Sequence, residues 1–259
     1  MKNIFKIYYL IILLLTVTLQ VNAAEKVELL KTEWSFKGLF GKFDRGSLQR
    51  GYQVYTEVCS SCHSMKYLSY RNLAEKGGPE FSEEQVKAIA ANFEVTDGPN
   101  NDGEMFTRAA KLSDKFVMPY ANVKAAQAAN GGAYPPDMSV LAKARSGGVD
   151  YIYSVLLGYE DPPNGMTLDE GVYYNKFMYG NNIKMSQPLS DGLVEYSDGT
   201  IASEEQMAKD VATFLMWAAE PHLEARHQMG FKAIVYLIIL TVLVYFSMKR
   251  IWSRVETEV

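Results

Sequence analysis

The chain has 259 residues, 48 % of them hydrophobic, with 26 Lys and Arg against 30 Asp and Glu and a formal charge of −4. That length suits one sizeable domain, or one domain with long insertions. The acidic balance argues against nucleic acid as a partner and for a basic one.

Lys2 and Lys6 open the chain, Ile7 to Leu19 is apolar apart from two tyrosines and two threonines, and Val21-Asn22-Ala23 has the spacing of a signal-peptidase site. Residues 1–23 therefore read as a secretory signal whose core is too short for a comfortable bilayer span. An uncleaved N-terminal anchor is the alternative. Either way the chain beyond Ala23 is expected in a compartment where thiols tend to oxidise. Without Lys2 and Lys6 its charge falls from −4 to about −6.

Leu48, Tyr52, Tyr55 and Cys59 recur at helical spacing, with Ser47 the expected N-cap. Ser82-Glu83-Glu84-Gln85 is a capping box opening a helix with Val86, Ile89, Ala90 and Phe93 on one face. Asn122 to Asn130 reads as an alanine-rich helix stopped by Gly131-Gly132. Asp150 opens another, with Ile152, Val155, Leu156 and Tyr159 inward, and "DGLVEYSDGT" at 191–200 suggests a small hairpin. A second capping box, Ser203-Glu204-Glu205-Gln206, opens a helix with Met207, Val211, Phe214, Leu215 and Ala218 on its apolar face, ended by Pro221. Met216 and Trp217 are expected to pack, and His222 and His227 to face solvent on the connection beyond.

From Ala233 to Met248 there is no charge. Eighteen helical residues rise about 27 Å, close to the hydrocarbon thickness of a bilayer. The eleven Leu, Ile, Val and Phe residues from Phe231 onward favour insertion by roughly 3–7 kcal/mol. Lys249, Arg250 and Arg254, with Trp252 among them, form a basic flank with an aromatic anchor. The expected organisation is a signal over 1–23, an exported domain over 24–228, a transmembrane anchor over 229–250 and a cytoplasmic tail over 251–259. The fold class is mainly α, with loop insertions and one C-terminal transmembrane helix.

Cys59 and Cys62 are the only cysteines, and His63, one of three histidines, follows directly. In an exported chain the spacing fits a disulfide redox pair, half a metal site, or covalent haem attachment. Zinc would need further thiols or histidines, and only the distant His222 and His227 remain. A thioredoxin-like pair would come with alternating strands and helices, which the periodicities lack. Cys-x-x-Cys-His is instead the haem attachment pattern of c-type cytochromes. Three residues apart on a helical turn, the two thiols reach two vinyl groups, and His63 turns a ring nitrogen toward the iron. A thioether on the other side would raise the potential and close the iron. Met118, Met166 and Met185 lie in loops near proline or glycine and are all candidates.

The chain resembles the cytochrome c1 family, the haem subunit of the ubiquinol–cytochrome c reductase (cytochrome bc1) complex. The resemblance runs through "RGYQVYTEVCSSCHSMKYLSYRNL", "VTDGPNNDGEMFTR", "KLSD", "AANGGAYPPDMS", "ARSGGVDYIYSVLLGYEDPPNG" and "AKDVATFLMWAAEP". It implies a c-type cytochrome domain carrying one covalent haem c, with Cys59 and Cys62 as thioether residues, His63 as fifth ligand and Met185 as sixth. It also implies that Arg145 and Tyr151 meet a haem propionate and that Pro136 and Asn130 line the pocket. The chain departs from the family in "RAAKLSD", where Arg-Pro-Gly-Lys-Leu-Ser-Asp is usual, and around Met185, where common prolines are replaced and Lys184 adds a charge.

The function so implied is electron carriage rather than catalysis by this chain alone, as a subunit of an oxidoreductase. Electrons would pass from a Rieske iron–sulfur protein to a soluble or membrane-bound cytochrome c, with cytochrome b a further partner. The expected location is a bacterial-type inner membrane, single-pass, with the haem domain on the periplasmic side. Another respiratory haem subunit, or a haem sensor or peroxidase with an open iron, are the competing classes. Asp191, Glu195, Asp198, Glu204 and Glu205 form an acidic run without Lys or Arg, either a solvated face or a docking patch for a basic partner.

Overall fold

The computed structural model describes residues 27–256, so the expected signal over 1–23 lies outside the described residues. Helix α1 spans Arg45–Val54, α2 Glu83–Ala91, α3 Val123–Ala129, α4 Leu141–Ala144, α5 Gly148–Leu156, α6 Glu204–Ala219 and α7 Leu223–Glu256. Two small antiparallel ribbons pair β1 (Glu94–Asp97) with β2 (Phe106–Ala109), and β3 (Tyr173–Tyr174) with β4 (Asn182–Ile183).

The core forms where α1 crosses α6, the pair with the most extensive contact. Leu48, Tyr52 and Val54 on α1 meet Val211, Phe214 and Leu215 on α6, all buried. Gly51 sits at the closest approach, where an added Cβ would lie 2.1 Å from the Asp210 carbonyl oxygen and 2.7 Å from the Phe214 Cβ. Only a residue without a side chain lets the two backbones come this near. Tyr52, Tyr55, Tyr70, Phe116, Phe214 and Trp217 then build an aromatic cluster with ring centroids 5.0–6.2 Å apart. Trp217 and the partly buried Met216 pack, as the periodicity predicts.

Asp44, not Ser47, caps α1: its carboxylate accepts from the Ser47 N–H at 2.7 Å, and Ser47 belongs to the first turn. Aspartate and serine cap equally well, and Gly46 does not stop the helix from starting a turn early. The Ser82 box closes in both directions. At Ser203 only half forms, because the Gln206 amide turns to Asp210 at 3.0 Å. Asp150 does not open α5, which starts at Gly148 behind Gly147 in the left-handed region (φ 88°). Asp150 instead takes Trp34 Nε1 and Lys37 Nζ as partners. Ile152 and Val155 are buried, but Tyr159 lies past the helix end and bridges to Asn175.

The expected hairpin over 191–200 is absent: the segment has turns and no strand. Its anchors lie elsewhere, since Asp198 binds Arg50 at 2.7 Å and the Glu195 carbonyl accepts from Gln53 at 3.0 Å. With its polar groups held by α1, it has no reason to pair with itself. The last helix, α7, is long and apolar enough to cross a membrane, with mean hydropathy 2.2 and none of the apolar window buried. It contains the expected anchor over 229–250. His222 is exposed, while His227 is half-buried with its Nδ1 unpartnered.

Candidate functional site

Beyond Val54 the first helix widens into a π-turn over Tyr55–Cys59, where the Ser60 N–H donates to the Tyr55 carbonyl at 2.8 Å. Such wide turns concentrate at functional sites. The N–H groups of Cys62 and His63 then both reach the Cys59 carbonyl, at 3.1 and 2.9 Å. Both thiols and the imidazole therefore sit on one tight turn. Both cysteines are free, Cys59 buried and Cys62 partly exposed. Burial, aided by the neighbouring Cys62, pushes the Cys59 thiol up to about 12. A thiol kept protonated in this way is itself a poor exchange nucleophile.

His63 is nine-tenths buried, and burial pushes its imidazole below the ordinary value, with the Pro136 carbonyl and Asp137 opposing. Its Nδ1 lies 2.8 Å from the Pro136 carbonyl oxygen. A carbonyl can only accept, so Nδ1 carries the proton and Nε2 keeps its lone pair for a metal. Pro136 is held in turn by its neighbour: Asp137 accepts from Ser64 Oγ (2.8 Å), Lys66 N–H (3.0 Å) and Ser139 N–H (3.0 Å). Burial alone would raise the Asp137 carboxyl, but these hydrogen bonds outweigh it and hold it below the usual range. Tyr55 Oη adds a bond to the His63 carbonyl at 3.2 Å.

Asn130 reaches the motif through an intermediary. Its amide donates to Tyr120 Oη at 3.1 Å, and that hydroxyl lies 3.9 Å from Cys62 Sγ. Of the three methionines, Met118 is 53 % exposed and Met166 lies in a turn after Pro163. Met185, half-buried just after β4, has its carbonyl held by Tyr159 Oη at 3.0 Å. The adjacent Lys184 ammonium donates to the Gly131 carbonyl at 2.9 Å, tying this loop to the one that carries Asn130. Arg145 and Tyr151 are not joined by a hydrogen bond. Arg145 is exposed and reaches the Ala144 carbonyl at 3.3 Å, and Tyr151 Oη contacts Met178 Sδ at 3.1 Å.

Sequence patterns alone did not single out Asp137 or Tyr120, and they marked Tyr55 and Tyr159 only as packing positions on helices. The only signal for the first was its place in "YPPDMS", next to the proline that takes the histidine. The acidic run turns out largely structural. Asp191 caps α6 at Glu204 N–H (2.7 Å), Asp198 pairs with Arg50, Glu204 accepts from Gln187, and Glu205 from Tyr153.

The donor set fits a covalent haem: two free thiols one turn apart and an adjacent imidazole with its outer nitrogen already fixed. Among the described residues no group of three His, Cys, Asp or Glu side chains could hold a metal unaided. A haem-attachment turn within a helical domain, followed by a helix long and apolar enough to cross a membrane, defines a c-type cytochrome. A family model for the cytochrome C1 family matches residues 34–255. "Cytochrome b/c1" of Bradyrhizobium diazoefficiens is 51 % identical over 85 % of this chain and 35 % of that protein. "Cytochrome c1-1, heme protein, mitochondrial" of Solanum tuberosum is 46 % identical over 94 % of this chain and 75 % of that one. "Cytochrome c1" of Rhodospirillum rubrum is 46 % identical over 89 % of each. The chain thus spans about a third of the first relative and three quarters or more of the other two. The chain belongs to the cytochrome c1 family, whose members bind haem c and form the haem subunit of the cytochrome bc1 complex.

Proposed function

We propose that this chain carries electrons within a ubiquinol–cytochrome c reductase, taking them one at a time from a Rieske iron–sulfur protein and passing them to a cytochrome c. Cytochrome b is the further partner, and α7 holds the haem domain beside both on the periplasmic face of an inner membrane. Residues 1–23 act as the export signal and 251–259 as the cytoplasmic tail. Haem c, bound through Cys59 and Cys62, supplies a one-electron iron couple.

The residues do the positioning. The Pro136 carbonyl fixes the His63 tautomer and ring, and Asp137 locks that carbonyl in place against residues 64–66. Tyr159 and Lys184 pin the Met185 loop from two sides, which supports the reading that the Met185 thioether would serve as the sixth iron ligand. Arg145, exposed, would offer a forked donor to a propionate, and Tyr151 would contribute its hydroxyl to the same group. Pro136 and Asn130 line the pocket.

The observation that carries this reading is the single turn uniting Cys59, Cys62 and the Pro136-oriented His63. The test is the reduced visible spectrum of the haem-loaded protein with and without carbon monoxide, for wild type and Met185→Ala. A low-spin spectrum indifferent to carbon monoxide in wild type, lost in the variant, is expected. A wild-type spectrum that shifts with carbon monoxide would mean an open iron and ligand chemistry instead.

A further inference from the structure

Leu39 and Phe40 are 60 % and 70 % exposed, an apolar pair on the tip of the loop that precedes α1. The loop is not slack. Its base is a stack of buried Trp34, Phe36 and Phe43, with ring centroids 5.0–5.6 Å apart. Three backbone bonds close it: Lys37 to Trp34, Gly41 to Gly38 and Lys42 to Ser35, at 3.0–3.3 Å. A rigid fold that presents two large apolar side chains outward calls for an apolar neighbour.

The contacts of this loop with α7 set its depth. The Phe43 N–H donates to Glu224 Oε1 at 2.9 Å, and Arg45 clasps the same carboxylate at 2.7 and 3.0 Å. At its tip, Phe40 packs edge-on against Phe231, with centroids 5.7 Å apart. From Glu224 to Phe231 is seven residues, about 10 Å along the helix. The loop thus descends beside α7 toward its apolar stretch. From Ala233 to Met248 the charge-free stretch rises about 22 Å, with Lys232 beside Phe231 at its near edge and the charges of Lys249 and Arg250 ending it on the other side. Phe231 is therefore the edge of the membrane-spanning section, and Phe40 shares its level.

We propose that the Leu39–Phe40 tip inserts into the interface of the lipid bilayer, making a second membrane contact beside α7, with the exposed Lys42 ammonium at headgroup level. This rests on α7 spanning the membrane. The two attachments, one helix and one loop on the same side of the domain, fix its tilt as well as its distance from the membrane.

The test uses the full-length haem-loaded protein in vesicles of phosphatidylcholine and phosphatidylglycerol that contain a phospholipid with a photoactivatable carbene precursor near its glycerol backbone. After irradiation, adducts are mapped by mass spectrometry of peptides. Adducts are expected on residues 36–43 as well as on the start of α7. The double variant Leu39→Ser/Phe40→Ser should lose at least five-fold of the loop adduct, with α7 adducts and the visible spectrum unchanged. Adducts on α7 with none on 36–43 would overturn the proposal while leaving the anchor intact, since the tip would then face water or protein. Adducts on neither would overturn it together with the membrane-spanning reading.

Discussion

Replacing Gly51 by alanine sets two effects of opposite sign against each other. Helix propensity favours the change, by roughly 0.5–1 kcal/mol for alanine over glycine in a helix interior. Packing opposes it, because the new methyl would stand 2.1 Å from the Asp210 carbonyl oxygen, against a floor of 3.0 Å for such contacts. The obstacle is backbone, so no side chain can swing aside, and the helices must part by about 1 Å. Overpacking of this kind costs about 1–3 kcal/mol, and the unyielding partner places this site at the upper end. The net expectation is a loss of about 2 kcal/mol, or roughly 4–8 °C in Tm for a domain of this size. Thermal unfolding of the haem-loaded protein measures it. Gly46→Ala is the control, since its methyl meets only the side chains of Arg50 at 3.2 Å and Asp44 at 3.4 Å. An unchanged or higher Tm for Gly51→Ala would refute the close-approach account and leave propensity as the deciding effect.

Asp210 is fully buried and holds Arg50 through two bonds of 2.8 and 3.1 Å. Asp210→Ala should cost about 3 kcal/mol in denaturant unfolding, at the low end for a broken buried pair because Asp198 still holds Arg50; a loss below about 1 kcal/mol would sink the assignment. The depressed Asp137 carboxyl contributes stability that is complete above the ordinary aspartate value of about 4 and is lost as pH falls through its lowered one. The Tm of Asp137→Asn should therefore fall less steeply than that of wild type on acidification below about pH 4, and parallel curves would exclude the effect. Tyr159→Phe removes one hydrogen bond to the Met185 carbonyl, worth about 0.5–1.5 kcal/mol, so the fraction of reduced protein that binds carbon monoxide should rise about 2–10-fold. No rise would mean that Met185 is not the ligand or that its loop is held elsewhere.

What was legible in the sequence was whatever depends on neighbours a few residues apart. The Ser82 box is a set of local hydrogen bonds and forms where the pattern puts it, and the alanine-rich helix read over 122–130 forms over Val123–Ala129 with Asn122 as its cap. The heptad-scale stripe of α6 and the apolar length of α7 are likewise local. Misplacements arise where several residues could do the same job and tertiary contacts choose. Asp44 preceded Ser47 as a cap, and Gly147 took the start of α5 while Asp150 was drawn to Trp34 and Lys37. The 191–200 segment looks like a hairpin because its turns are real, but α1 claims its polar groups. Cys59, Cys62 and His63 were readable because their chemistry needs a fixed spacing. The residues around them, Asp137 and Tyr120, act across 73 and 58 positions of chain, and Tyr159 acts on the Met185 backbone carbonyl; no spacing rule announces these contacts.

The π-turn between Tyr55 and Cys59 separates two demands that an unbroken helix would join. In a regular helix Leu48, Tyr52, Tyr55 and Cys59 would fall on one stripe, and the thiol would face the same neighbour as the packing residues. One extra residue in the turn lets the stem keep its phase against α6 while the motif rotates to a bearing of its own. The number of residues in this stretch is then as much a specification as their identity. Deleting a single one, even one as replaceable as the exposed Glu57, would return the turn to α-helical pitch and swing both thiols and the imidazole about a quarter turn out of register with the Pro136 carbonyl. Substitutions here are changes of chemistry, but a change of length is a change of aim.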